Sequence, residues 1–267
     1  MSEPSRAKSL LIASHPGPAV AVTAIAAALA VRFGVTSVQL AALVVAVASG
    51  QLLTGWTNDL LDADRDRVVG RTDKPLARDT LSRSVVRRAI ASSAIVCVAT
   101  SLLLGLLPGV LHLVLGVGAA FAYNAGVKST VLSWLPYTVA FGALPAVVSL
   151  ATVDELPPAW MIAVGAMLGF GAHLVNVLPD LADDRATGIS GFPHRLPPAA
   201  VAPTAVGALS LASIVGVGGA RGFDAVGILA LVAVGVCALV ALTGSGRRPF
   251  QAAIAIAAVD VAVLVTA

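Results

Sequence analysis

Charge is what this chain lacks. Of its 267 residues only 12% are charged, against 58% hydrophobic, and the mean hydropathy is +0.93. A water-soluble globular domain does not carry so little charge, so the composition excludes that class and implies a polytopic membrane protein. Cysteine is nearly absent as well. Cys97 and Cys237 sit inside apolar runs with no CxxC or Cys/His spacing, which argues against a disulfide or thiolate metal site and leaves packing as the expected role. His15, His112, His173 and His194 also lack metal-ligand spacing, and most of them are expected to pack or to lie at interfaces. Aromatic residues make up 4%, too few to argue for an aromatic ligand from stacking partners. A net charge of +3 calls for no nucleic acid, because the basic residues fall in short loops between apolar runs.

What the chain has is long apolar runs. A helix needs about 20 apolar residues to cross roughly 30 Å of hydrocarbon. About nine such runs follow one another, near 17–33, 37–57, 86–107, 109–126, 131–151, 158–179, 199–219, 223–243 and 250–267. A lipid-facing backbone must satisfy its own hydrogen bonds, and barrel strands would be shorter and alternating, so these runs predict helices. The expected fold is all-α: a polytopic membrane protein with about nine transmembrane helices in a single bundle around a central cavity. It occupies 17–267 after a short cytoplasmic segment, 1–16. Arg6 and Lys8 ahead of an apolar stretch also suggest a signal peptide, but Pro16 and Pro18 interrupt it, and a retained span is expected.

Orientation follows from the 17 Lys and Arg. With nine spans, 15 of them fall with the N-terminus and the loops after spans 2, 4, 6 and 8, and only Arg32 and Arg221 fall on the other side. The positive-inside rule then puts the N-terminus in the cytoplasm.

Against this background, Trp56-Thr-Asn-Asp-Leu-Leu-Asp-Ala-Asp-Arg-Asp66 gathers four aspartates at the end of span 2. At 100° per residue Asp59, Asp62 and Asp66 lie within about 60° of one another, while Asp64 points away. A second cluster ends span 6, where Asn176, Asp180 and Asp184 share a face at i, i+4, i+8 with Asp183 beside it. Carboxylates crowded on one face repel, by about 4 kcal/mol for a pair at 4 Å and an effective dielectric near 20, so a cation belongs between them. Oxygen-only ligands suit Mg²⁺, which takes one or two carboxylates and completes its shell with water and substrate phosphates. Solvated helix ends are the alternative. Two clusters at one membrane level, each closing an apolar helix, favour a functional site that holds a diphosphate.

These residues resemble the UbiA superfamily of intramembrane prenyltransferases. Its first motif, NDxxDxxxD, is matched by Asn58, Asp59, Asp62 and Asp66, and its second, DxxxD, by Asp180 and Asp184 with Gly188 following. The resemblance covers essentially the whole chain. It implies that the five aspartates are catalytic and hold Mg²⁺, that an isoprenyl diphosphate binds there and loses pyrophosphate, and that a small acceptor captures the allylic cation. The segment Gly70-Arg-Thr-Asp-Lys-Pro-Leu-Ala77 is similar to the family's RTxxRPL stretch, with Lys74 where Arg is commoner.

Cations for the departing diphosphate are expected from Arg65, Arg71, Lys74 and Lys128; Arg78, Arg83, Arg87 and Arg88 are expected as interfacial anchors, a role also open to Lys74 and Arg65. Tyr123 and Lys128 are similar to the family's Tyr-xxx-Lys element with four residues intervening, and they reach one site only if the helix ends or bends near Gly126. Asn58 and Asn176 are expected to orient carboxylates or phosphate oxygens. His173, one turn before Asn176, could line the acceptor pocket or assist deprotonation. The leading reading is transfer to a small aromatic or quinone-precursor acceptor. An intramembrane terpene cyclase would use the same diphosphate site, as would a phosphoribosyl or lipid-type transferase of the superfamily, and a cation channel or transporter would use the aspartates for permeation. Prenyl chain length, acceptor and oligomeric state are not encoded in any motif.

Overall fold

The apolar runs fold as helices, and the residues at their breaks account for where they stop. A computed structural model describes residues 5–181, 184, 188–244 and 248–266, with the backbone alone described at Asp180. The helices are α1 (Arg6–Ala13), α2 (Pro16–Arg32), α3 (Ser37–Val69), α4 (Arg83–Leu103), α5 (Leu106–Leu111) and α6 (Ala119–Asn124). They continue with α7 (Leu135–Val153), α8 (Ala159–Val177), the short α9 (Phe192–Arg195), α10 (Pro198–Arg221), α11 (Ala225–Thr243) and α12 (Arg248–Thr266). A π-helical stretch, His112–Gly118, joins α5 to α6 into one span. Among the described residues eight helices are long and apolar enough to cross a bilayer, and α1 with α2, bent by 63°, make a ninth when taken as one span. The all-helical bundle expected from the sequence is the observed architecture.

Helix α3 positions the site. It opens on a capping box, in which Gln39 N donates to Thr36 Oγ1 and Thr36 N donates to Gln39 Oε1. It runs for 33 residues, about 50 Å, and so exceeds the hydrocarbon thickness by several turns. The expected span stopped at 57; the helix instead continues through the acidic stretch without a break and ends at Gly70, whose φ of 76° suits glycine.

The segment ahead of residue 17 is more than a leader to the first span. Helix α1 packs on α3: Trp56 Nε1 donates to the Leu10 carbonyl at 2.9 Å, and Gly55 lets the Ser14 backbone approach so closely that a Cβ there would clash. The bend falls at His15, held at φ 53°.

Elsewhere small residues bring helices together, as expected where lipid replaces water as solvent. In the α7–α8 pair an added Cβ at Gly169 would lie 2.7 Å from the Tyr137 carbonyl carbon. Leu29, Leu43, Val47, Val148, Met161, Leu174, Leu209 and Ile256 form one continuous buried core. Leu229, Val232, Val236 and Leu239 of α11 are each more than half exposed and present the bundle's apolar face to lipid. The fully buried Asp260 of α12 accepts a hydrogen bond from Ser213 of α10, linking two spans.

Candidate active site

Helical periodicity places the first cluster. Asp59, Asp62 and Asp66 are buried on the inner face of α3, while Asp64 is exposed and pairs with Arg67 and Arg83. The two acidic segments end alike. Gly70 and Gly188, each four residues after the last aspartate, have left-handed φ of 76° and 81°. The next residue's N–H then returns to that aspartate's carbonyl, Arg71 N to Asp66 O and Ile189 N to Asp184 O, both at 2.9 Å. Gly188 thus has a conformational role.

Each carboxylate has a distinct set of partners. Asp62 accepts from Lys128 Nζ at 2.5 Å on one oxygen; the other takes Asn58 Nδ2 at 3.1 Å and Arg65 at 3.2 Å. Arg65 also reaches Asp66 at 3.6 Å, so a residue that helix geometry aims off the acidic face curls back onto it. Asp59 is turned elsewhere: Oδ1 accepts from Lys74 Nζ at 2.5 Å and lies 3.1 Å from His15 Nε2, and Oδ2 is buried without a hydrogen-bond partner among the described residues. Among the described residues no three His, Cys, Asp or Glu side chains converge as a metal centre. The three-carboxylate face expected from spacing is therefore divided between Asp62 with Asp66, which open onto a cavity, and Asp59, which holds Lys74.

That cavity has a volume of about 480 Å³. At its polar mouth stand Asp62, Asp66, Asp73 and Asp184 with Arg65, Arg71, Lys74 and Lys128, four acids against four bases among the described side chains. Arg71 grips Asp73 through two hydrogen bonds of 2.9 Å, and this holds the Asp73 carboxyl down at about 2. His194 lies 3.4 Å from Asp184. The side chain of Asp180, and Asp183 and Arg185 entirely, lie outside the described residues. From Asp62 the cavity follows α3 inward to Val47, fifteen residues or about 22 Å along the axis. Val22, Ala140, Leu144 and Val147 line its interior from α2 and α7.

Tyr123 and Lys128 do share this cavity. Helix α6 stops at Asn124, Gly126 adopts φ 139°, and a 3₁₀ turn over Val127–Ser129 swings Lys128 back toward Asp62. Asn176 lies at the wall, donating to the Tyr137 hydroxyl at 3.4 Å. His173 is placed differently from the expectation. It is 1% exposed and sits behind the wall, with Nε2 3.0 Å from Ser133 Oγ and its ring packed edge-on to Tyr123. Burial among rings overrides its angular proximity to the acidic face.

Several cavity residues had no motif to mark them. Asn124 accepts from Asn58 at 3.0 Å and fixes the amide beside Asp62. His15 reaches the mouth only because α1 folds back on α3. Gln51 and His112, both read as parts of apolar runs, line the interior. A glutamine in mid-span was the signal available for the first of these.

The fold has known counterparts. The family model of the UbiA prenyltransferase family matches residues 19–259. Similar solved structures include an apo UbiA homolog from Aeropyrum pernix K1, at 18% identity and a TM-score of 0.72, covering 97% of this chain and 98% of that one. A UbiA homolog from Archaeoglobus fulgidus, bound to GPP and Mg²⁺, aligns at 14% identity and a TM-score of 0.73 over 96% of this chain and 98% of its own. A digeranylgeranylglyceryl phosphate synthase aligns at 13% identity and 0.67 over 97% of both chains. No curated protein sequence matches the chain significantly. An all-helical intramembrane bundle with a charged cavity mouth is the class defined here, and the chain belongs to the UbiA prenyltransferase family.

Proposed function

We propose that the chain is a Mg²⁺-dependent intramembrane prenyltransferase that binds an isoprenyl diphosphate at the cavity mouth and passes the prenyl group to a small acceptor, an aromatic or quinone precursor. The observation that carries this is the charge balance of the mouth on top of an apolar interior. With four acids and four bases already matched among the described side chains, a diphosphate would add roughly three negative charges, and divalent cations restore the balance. The donor set fits Mg²⁺: all oxygen, with Asp62 and Asp66 open to the cavity, leaving the rest of the shell to water and phosphate oxygens. Asp184, which also stands at the mouth, and Asp180, by its place in the second motif, would hold a further ion. When bound, Mg²⁺ supplies Lewis-acid stabilisation of the charge that grows on the leaving diphosphate.

The chain's own residues do the rest. Lys128 and Arg65 contact Asp62 and stand where they can shift onto phosphate oxygens, and Lys74 is poised on Asp59 and Arg71 on Asp73 for the same purpose. Asp59 acts as a positioning residue for Lys74. The apolar walls of α2 and α7 hold the tail and keep water from the allylic cation. The cavity's length along α3 favours an extended tail, which keeps the distal double bonds away from the reacting carbon and so favours transfer over cyclisation. The positive-inside asymmetry supports a mouth facing the cytoplasm.

The test is incubation of purified protein with Mg²⁺ and prenyl diphosphates of several lengths, with and without a panel of hydroxylated aromatic acceptors, followed by mass analysis. Prenylated acceptor is the expected product. A hydrocarbon or terpene alcohol made equally well without acceptor would sink the transferase reading in favour of a cyclase.

A further inference from the structure

The cavity interior is not uniformly oily. Its interior lining from α2 and α7 is apolar, but α3 contributes Gln51 and Thr54, and the start of the π-helical stretch contributes His112. The His112 ring is 7% exposed and is fixed by a 2.8 Å hydrogen bond between Nδ1 and Ser101 Oγ, leaving Nε2 on the cavity side. Gly50 and Gly116 keep the space beside that ring open: a Cβ on Gly50 would lie 3.4 Å from Nε2. The Gln51 amide has no hydrogen-bond partner among the described residues. A prenyl chain lying against Gln51 and His112 would cover two hydrogen-bonding groups without satisfying them, which is unfavourable in a membrane interior.

We infer that this polar wall is the acceptor subsite, with Gln51 and His112 binding a hydroxyl or carbonyl oxygen at the end of the acceptor remote from the alkylated atom, while the tail takes the apolar wall. The inference rests on the transferase reading of the cavity. Its dimensions follow from α3: Asn58, beside Asp62 at the reacting end, is seven residues from Gln51, about 10 Å along the axis. That length fits a flat bicyclic compound. The cations of the cavity stand at the mouth, and the interior pair offers an amide and an imidazole, so the group bound there is an uncharged oxygen rather than a carboxylate.

The experiment compares binding of 2,6-dihydroxynaphthalene with that of 2-naphthol, which lacks the remote oxygen, to detergent-purified protein. It is repeated for Gln51→Leu and His112→Phe, which keep volume and remove hydrogen bonding. Geranyl diphosphate with Mg²⁺ is titrated into each protein as a separate readout of fold and mouth. The wild type should prefer the dihydroxy compound by about three- to tenfold, and the preference should vanish in both variants while geranyl diphosphate still binds. No preference in the wild type, or one retained in both variants, overturns the inference. Loss of geranyl diphosphate affinity together with the preference, in a variant whose thermal unfolding in detergent matches the wild type, also overturns it, because the polar wall would then belong to the tail. If geranyl diphosphate fails to bind the wild type but the preference stands, the transferase reading fails and the subsite survives.

Discussion

Two aspartates three residues apart in the same motif should fail differently when neutralised. Asp62 opens onto the cavity with Lys128, Asn58 and Arg65 around it, whereas Asp59 is 1% exposed and spends its one satisfied oxygen on Lys74 and His15. Asp59→Asn keeps an acceptor oxygen but loses the charge that holds the Lys74 ammonium. A charge-assisted hydrogen bond contributes about 1.5–3 kcal/mol, so the donor KM should rise on the order of 10- to 100-fold. The Mg²⁺ concentration for half-maximal activity should stay near the wild-type value. Asp62→Asn removes a proposed metal ligand and leaves Lys128 beside a neutral amide. It should lower kcat/KM by about 10³ or more and raise the Mg²⁺ requirement. Steady-state kinetics with geranyl diphosphate and Mg²⁺ varied independently separate the two outcomes. If Asp59→Asn shifts Mg²⁺ half-saturation as far as Asp62→Asn does, the division of labour drawn from the geometry is wrong.

Further outcomes follow from individual contacts. Gly126→Ala forces a side chain to φ 139°, which costs about 1–3 kcal/mol or displaces the turn that delivers Lys128; donor affinity should fall several-fold, read by titration. Gly169→Val drives atoms into the Tyr137 backbone, and overpacking of about 1–3 kcal/mol should lower the Tm in detergent by several degrees. Asp73 is held at about 2, below its ordinary 3.8, by the Arg71 guanidinium. A depressed carboxylate contributes stability above its unfolded pKa and loses it as pH falls from about 4 toward 2, so between pH 5 and 8 it stays charged. Asp73→Asn should therefore change donor KM by the same factor at every pH in that range, measured as a KM–pH profile. A factor that varied with pH would place the titrating group elsewhere.

Much of this architecture is written locally in the chain. Hydropathy marks the spans because lipid demands apolar helices of fixed length, and the 100° periodicity that separates Asp64 from Asp59, Asp62 and Asp66 holds because α3 continues unbroken through the cluster. Lys128 could be tied to the site because a glycine stood where a bend was needed. What escaped depends on distant partners. Nothing near His15 in sequence says that α1 folds back onto Gly55 and Trp56, and the Asn58–Asn124 bond joins residues 66 positions apart. The same is true of His173, whose burial is set by Ser133, Tyr123 and Tyr137 rather than by its own helix. Gln51 and His112 were concealed by their apolar neighbours, and the π-helical stretch has no sequence mark.

The central claim is that the cavity mouth is a diphosphate site completed by Mg²⁺ through Asp62. Equilibrium binding of geranyl diphosphate to the purified protein, followed while Mg²⁺ is titrated in after EDTA treatment, tests it most directly. The account predicts binding that rises with Mg²⁺, is lost on chelation and is absent from Asp62→Asn. Binding of equal strength with and without the metal, or in Asp62→Asn, would contradict it.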